Sequence, residues 1–178
     1  MTRVYLLAII ALLLLGVVLW YQHATDYRPR PLTTTQLHAL ADEQLSRQLL
    51  DDLALRAFAP GVARGEWQRF NQPARHVWAL GVVESGSDSL GLGGFIAYHD
   101  RDPGFPRVED ARDACRAVGL GEAADILAMA QGSNDLGAIH TRWRQALDKP
   151  AALACRRAYM REHLAALADP YSTDVPRP

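Results

Sequence analysis

Length, composition and charge place the chain among globular proteins. Its 178 residues are enough for one domain with a proper core, 49% of them are hydrophobic, and the formal net charge is −1. A chain with no net positive charge is a poor candidate for a nucleic-acid-binding domain, and the basic segment with Arg156, Arg157 and Arg161 lacks interleaved aromatic residues. Nucleic acid is therefore disfavoured as a partner.

The N-terminus contains an apolar run, residues 4–22, with no charged residue and a single glycine. An apolar stretch of about 18 residues is close to the minimum that crosses a bilayer as a helix. A cleaved signal peptide is one alternative, but it needs small residues where this chain has Trp20 and Tyr21. A buried core helix is another. The sequence predicts an uncleaved membrane anchor at residues 1–22, which contacts the bilayer through residues 4–21.

The charges that flank this segment set its expected orientation. Arg3 precedes it, whereas Arg28 and Arg30 follow it and are partly offset by Asp26. With so short a tail before the segment, we expect the N-terminus to lie in the cytoplasm. The sequence thus predicts a single-pass protein of a bacterial inner membrane with a periplasmic domain, joined to its anchor by a polar tether at residues 23–35.

Beyond the tether, apolar residues recur at helical spacing and no alternating strand pattern occurs. The sequence predicts an all-α domain over residues 36–168, a compact bundle of six or seven helices, and a loose tail at residues 169–178. Residues 85–94 hold four glycines and three serines, so we expect a loop there. The first expected helix ends near residue 58. The others cover about 73–85, 94–99, 106–118, 121–131, 136–147 and 150–168.

Two cysteines, Cys115 and Cys155, lie 40 positions apart. They form no C-x-x-C pair, so neither a thioredoxin-type motif nor a zinc motif is indicated. In an oxidising compartment we expect a disulfide between two helices, with a stabilisation of about 3–4 kcal/mol in the chain-entropy model. Two separately buried thiols that act as small apolar residues are the alternative.

The segment GLGGFIAYHDRDPG, residues 91–104, has the least ordinary pattern in the chain. Its glycines match neither a Walker loop nor a dinucleotide-binding fingerprint. His99, Asp100 and Asp102 offer donors to a metal, but no second pair at helical spacing completes a site. The sequence therefore predicts no metal and no cofactor. An enzyme that uses Glu84 with His99 and Asp100 is the alternative function, and it requires the glycine-rich segment to fold back.

Charge is distributed unevenly along the chain. Residues 84–135 hold ten acidic residues against four arginines, whereas residues 136–178 hold seven basic residues against four acidic ones. Solvated helix faces explain part of this pattern. The acidic part also predicts a surface within residues 94–125 that steers a basic protein partner. Its carboxylates would belong to Glu109, Asp110, Asp113, Glu122 and Asp125.

Three features follow one another within residues 75–165: a helix that ends in Val83-Glu84, a Gly93-Gly94-Phe95 motif followed by Tyr98 and Asp100, and an A-x-x-A-x-x-x-x-G helix with Ala111, Ala114 and Gly119. This order resembles the bacterial DNA-mimic-like proteins, an all-α family mostly without assigned activity. Leu92 stands where that family usually has Asn. The resemblance implies a helical bundle in which Glu84 binds the backbone of a structural turn at Gly93 and Gly94.

DNA mimicry itself does not follow from the resemblance. A mimic needs a dense array of carboxylates, and the charge of this domain is almost balanced. The sequence instead predicts a membrane-anchored helical module that binds a protein partner. The candidate binding residues are Glu84, Phe95, Tyr98, Asp100, Glu109, Asp110 and Asp113.

Overall fold

Helices make up nearly all of the chain that the structure describes. The computed structural model describes residues 32–58, 62–99, 101–130 and 132–171. In these residues the only β-type pairing is an isolated bridge between Phe70 and Tyr171. The predicted all-α class is confirmed, and the described ranges hold eight α-helices in place of six or seven. The helices are α1 (Thr34–Ala39), α2 (Asp42–Phe58), α3 (Gln72–His99), α4 (Val108–Val118), α5 (Gly121–Ala128), α6 (Leu136–Leu147), α7 (Pro150–Glu162) and α8 (Leu164–Ala168), and a 3₁₀ helix at Glu66–Arg69 precedes α3.

The predicted single-pass architecture is wrong. None of the helices in the described ranges combines the length and the apolar character that crossing a bilayer requires. The longest, α3, has 28 residues but carries Arg75, Glu84 and Asp88 and is broken at Gly91. The inner-membrane localisation and the periplasmic placement of the domain depended on that architecture and are corrected with it. The predicted anchor, residues 1–22, lies outside the described residues.

The first predicted helix is in fact two helices. Helix α1 begins with a capping box, in which Thr33 Oγ1 accepts from the N–H of Gln36 (3.2 Å) and Gln36 Oε1 accepts from the N–H of Thr33 (2.8 Å). It ends at Leu40, whose ψ of 141° is extended. The guanidinium of Arg161 in α7 donates to the carbonyls of Leu37 and Leu40. A distant side chain therefore satisfies the helix end, which a local pattern does not reveal.

The predicted loop at residues 85–94 is helical instead. Within α3, Gly91 alone leaves helical geometry, at φ 70° and ψ 159°, a conformation that favours glycine. The two segments of α3 pack closely across this break, because a Cβ on Gly86 would lie 2.5 Å from Cδ2 of Phe95. Tertiary packing thus overrides the low helix propensity of the glycines and serines.

Two hydrophobic clusters form the interior of the described residues, which all belong to one compact unit. The first joins α3 to α4, α5 and α6 and includes the fully buried Phe95 and Trp143. The second joins α1, α2, the 3₁₀ helix and the start of α3 to α7 and α8, and includes Leu49 and Trp78. Val82 of α3 packs against both clusters. Helix α3 is therefore the element that connects the two halves of the core.

The start of the predicted loose tail packs against the rest of the domain. The backbone N–H of Asn71 donates to the carbonyl of Pro170 (2.5 Å). The ring of Tyr171 packs edge-on against Phe70, with 5.6 Å between ring centroids. These contacts attach the chain end to the 3₁₀ helix and the start of α3. The rest of the predicted tail, residues 172–178, lies outside the described residues.

The predicted disulfide does not form. Cys115 and Cys155 are both free, and their sulfurs are not within bonding distance. Cys115 of α4 is fully buried in the first cluster, and burial raises the pKa of its thiol to about 12. Cys155 of α7 is only partly buried at the edge of the same cluster. The alternative of two small apolar side chains fits Cys115 fully and Cys155 in part.

Replacing Gly91 by alanine tests the break in α3. A Cβ at Gly91 would meet no atom within 4 Å, so the cost comes from the backbone conformation alone. We expect Gly91→Ala to lower the free energy of unfolding by about 1–3 kcal/mol in urea denaturation. The matched control is Gly121→Ala, since Gly121 is equally open but lies in α5 without a positive φ. Equal effects of both substitutions would show that the conformation at Gly91 is not constraining.

Thiol labelling tests the two free cysteines. In the native protein, without reductant and at mildly alkaline pH, we expect Cys155 to react with an aromatic disulfide reagent and Cys115 to stay unreactive. Burial of Cys115 and the raised pKa of its thiol leave almost no thiolate at this position. Denaturation should expose both thiols, and Cys155→Ser should remove the native reaction. If the denatured protein showed no reactive thiol without reductant, its cysteines would not be free and this assignment would be wrong.

Candidate functional site

Glu84 joins three helices instead of binding a turn. Its Oε1 accepts from Nη1 of Arg144 in α6 (2.5 Å), and its Oε2 accepts from Nη2 of Arg156 in α7 (2.7 Å). Arg144 also pairs with Asp88 through Nε and Oδ1 (3.0 Å). Burial opposes the charge of Arg144, but the hydrogen bond and the charge of Glu84 outweigh it and raise the pKa of Arg144. Both carboxylate oxygens of Glu84 are thus engaged by guanidinium groups, unlike the backbone contact that the resemblance implied.

The glycines expected to form a turn lie within a helix. Gly93 and Gly94 are helical, and the break falls at Gly91. Phe95 is 1% exposed and belongs to the core, whereas Tyr98 is 74% exposed. Of these candidate binding residues, Tyr98 is the one whose side chain a partner can reach.

The catalytic group proposed as an alternative is not assembled among the described residues. The ring of His99 packs against Phe95 and Phe105, with centroid distances of 5.1 and 4.2 Å. Glu84 is held instead in its ion pairs with arginines, and Asp100 lies outside the described residues. Within the described ranges, no three His, Cys, Asp or Glu residues form a group that could hold a metal ion.

The acidic residues predicted to form a recognition surface are largely engaged by neighbouring groups. Three of them contact basic residues: Asp110 accepts from the backbone N–H of Arg107 (2.8 Å), Asp113 pairs with Arg112 (3.3 Å) and Arg116 (3.6 Å), and Glu122 pairs with Lys149 (2.6 Å). The Asp110 contact serves to cap the start of α4. Basic side chains therefore offset part of the negative charge of this face, at Asp113 and Glu122.

An open groove lies among the 3₁₀ helix, the first part of α3, α4 and the segment that connects α3 to α4. Its volume is about 700 Å³, which is within the range of ligand-binding sites. We call it the polar groove. The polar side chains that define it include those of Gln68, Gln72, Arg75, His76, Arg101 and Arg107.

Three arginines give the polar groove its available charge. Arg75, Arg101 and Arg107 are exposed, and their guanidinium groups form no ion pair with any described residue. Three carboxylates line the same groove: Asp102 and Asp113 pair with arginines that do not line it, whereas Asp110 accepts from the backbone N–H of Arg107. Because other arginines pair with two of the three carboxylates, the guanidinium groups of Arg75, Arg101 and Arg107 remain available to an anionic ligand.

The segment between α3 and α4 is held against the 3₁₀ helix. The indole N–H of Trp67 donates to the carbonyl of Pro103 (3.2 Å). Asp102 Oδ1 accepts from the N–H of Gly104 (2.8 Å), and its Oδ2 pairs with Arg64 (3.4 Å). Two of the three groove arginines belong to this segment. They are therefore mounted on a preorganised wall, which lowers the entropic cost of binding a ligand.

A neutral hydrogen-bonded pair lies at the groove edge. Nδ1 of His76 is 2.7 Å from the hydroxyl of Tyr159, whose ring also contacts His163 at 4.5 Å. Burial lowers the pKa of His76, and the charge of Arg75 lowers it further. Burial raises the pKa of Tyr159. Both shifts favour the neutral forms, so this pair adds no charge to the groove.

A second cavity, of about 400 Å³, shares Phe105 with the polar groove. It opens between α2 and α3, and most of its lining is apolar. We call it the aromatic pocket. The rings of Trp78, Phe95, His99 and Phe105 line it, together with Leu50 and Val82. At its edge, the half-exposed ring of Phe58 contacts Trp78 (5.7 Å between centroids) and Phe105 (5.5 Å).

Comparisons with known proteins find no match. No protein-family model matches the chain, no curated protein is detectably similar in sequence, and no solved structure is detectably similar in fold. The resemblance to the bacterial DNA-mimic-like proteins therefore rests on its short motifs alone. A function for this chain must be inferred from the two cavities.

The sequence pattern pointed to the acidic residues of the polar groove, Asp102, Asp110 and Asp113, but to few of its basic ones. Arg101 lies in the unusual segment 91–104, but Arg75, His76 and Arg107 belong to no motif. Folding brings them together from α3 and from the approach to α4. A local signal was present in the EWQRF stretch, whose buried Trp67 anchors the wall of the groove.

Neutralising Glu84 tests the ion-pair cluster. We expect Glu84→Gln to lower the free energy of unfolding by about 1–3 kcal/mol, because it weakens charged contacts to Arg144 and Arg156 that are largely shielded from water. The control is Glu122→Gln, which removes an exposed pair with Lys149 and should cost less than about 1 kcal/mol. Chemical denaturation of both variants measures the difference. Loss of equal size in both variants would show that the Glu84 cluster has no special structural role.

Proposed function

We propose that this chain is a protein-binding module whose polar groove holds an acidic segment of a partner protein. The observation that carries the proposal is the charge state of the groove. Arg75, Arg101 and Arg107 line one groove, and none of them forms an ion pair with a described residue. The sequence had suggested a basic partner for an acidic face. The ligand proposed here has the opposite sign, because Asp113 and Glu122 of that face pair with basic side chains while the three groove arginines have no such partner among the described residues.

Carboxylates suit these groups chemically. A guanidinium presents its N–H groups as a planar fork that a carboxylate can accept with both oxygens. Three such forks in one groove can engage more than one carboxylate. The exposed amides of Gln68 and Gln72 add donors and acceptors that a peptide backbone can use.

The shape of the groove also supports a chain segment as the ligand. The groove is open to solvent and is not an enclosed cavity, so a segment of a larger protein can reach it. Its wall is fixed by the hydrogen bond from Trp67 to Pro103 and by the turn at Asp102. Binding therefore requires little ordering of the protein itself, which favours affinity.

Titration with a model acidic peptide tests the proposal. The full chain is mixed with fluorescently labelled hexaglutamate at low salt, and binding is followed by anisotropy. We expect saturable binding that weakens with salt, because the arginines are exposed. Arg75→Gln combined with Arg101→Gln should weaken binding by about tenfold or more, since charge-assisted hydrogen bonds are lost.

A charge-matched variant provides the control. Arg142→Gln combined with Arg157→Gln removes two exposed arginines outside the groove and should change affinity by less than about twofold if only local charge matters. Labelled hexalysine should not bind. Equal weakening by the two double variants, or a preference for hexalysine, would contradict the proposal.

A further inference from the structure

The polar groove and the aromatic pocket are neighbouring cavities with one residue in common. Phe105 lines both, and it belongs to the same ordered segment that carries two of the groove arginines. Its ring packs against His99 on one side and Phe58 on another. A ligand that contacts Phe105 from the groove therefore touches a residue that also lines the aromatic pocket.

We infer that the acidic partner segment also carries a bulky aromatic or aliphatic side chain, and that this side chain inserts into the aromatic pocket. This inference rests on the proposed function, since it names a second feature of the same partner. The partner is thus recognised by carboxylates at the arginines and by an apolar side chain beside them. Neither cavity alone defines that combination.

The lining of the aromatic pocket supports an apolar occupant. Phe105, Leu50 and Val82 are partly exposed and present accessible apolar surface, and the buried rings of Trp78 and Phe95 also line the pocket. Such a lining gains most from another ring or branched chain, because contact removes apolar surface from water on both sides. The volume of about 400 Å³ leaves room for one large side chain with space to spare.

The charges around the pocket also favour an apolar group there over an acidic one. Its lining contains one basic and one acidic side chain, Arg47 and Asp51, both exposed. Their charges offset each other, so the pocket has no strong preference for an anion. The acidic groups of the partner are therefore held by the polar groove, and the apolar group by the pocket.

Trp78 gives a further reason to expect an occupant. Its side chain is 3% exposed, and its Nε1 donor has no hydrogen-bond partner among the described residues. A buried donor without a partner is unfavourable. An acceptor on a bound segment that reached this donor would relieve the cost.

Matched peptides test the inference in the full chain. Two labelled peptides contain four glutamates, a glycine and a final residue that is either phenylalanine or alanine. Two further peptides have the reverse order, so that the direction of the segment is not assumed. We expect the phenylalanine peptide to bind about tenfold or more tightly than its alanine partner in at least one direction.

A variant with a blocked pocket tests whether the affinity gained from phenylalanine comes from the aromatic pocket. Ser85 is exposed and lines the aromatic pocket, so Ser85→Trp should fill its mouth without disturbing the core. We expect this variant to lose the advantage of phenylalanine while it binds the alanine peptides as the unmodified chain does. Ser89→Trp is the matched control, because Ser89 is exposed one turn further along α3 and does not line the pocket.

The outcomes separate the two proposals. If no peptide binds the unmodified chain, the proposed function fails and this inference fails with it. If the alanine peptides bind but phenylalanine adds less than about twofold in both directions, the proposed function stands and this inference is wrong. A phenylalanine advantage that survives Ser85→Trp places the apolar contact elsewhere and also overturns the inference.

Discussion

The backbone break at Gly91 is the constraint on which both cavities depend. A continuous α3 would carry the chain away from the 3₁₀ helix. With the break, the second segment packs Phe95 against Gly86 and sets the path of the residues that follow. Those residues reach the 3₁₀ helix, where Trp67 hydrogen-bonds to the carbonyl of Pro103. One glycine thereby positions Phe105 between the polar groove and the aromatic pocket. It also positions two of the groove arginines, which belong to the same segment.

The charge that this protein offers to a partner depends on which charged side chains are paired with each other, and not on composition alone. The net charge is −1, and the middle of the chain is rich in acidic residues. Folding engages many of those acids in helix caps and ion pairs, as Asp110 does at the start of α4 and Glu84 does between α6 and α7. The groove arginines lack such partners among the described residues. The sign of the surface that a partner meets is therefore set by which charges remain free.

Local patterns predicted the elements that local interactions determine. Helix α6 has its predicted bounds, and α4 and α5 begin or end within a few residues of theirs, since Gly119 adopts a left-handed conformation between them. The glycine-rich part of α3 and the break at Leu40 were mispredicted, because Phe95 and Arg161 act on them from a distance. The disulfide failed for the same reason: spacing along the chain says little about the distance between two sulfurs. The groove was not predictable because no motif links its arginines.

The most direct test of the central claim is an NMR titration that follows the arginine Nε–H signals of the full chain while hexaglutamate is added. The account predicts saturable shifts at Arg75, Arg101 and Arg107, with little change at Arg144 and Arg156, which Glu84 already holds. Shifts confined to arginines outside the groove, or equal shifts at all exposed arginines, would contradict it. In that case the free arginines of the groove would not form a binding site.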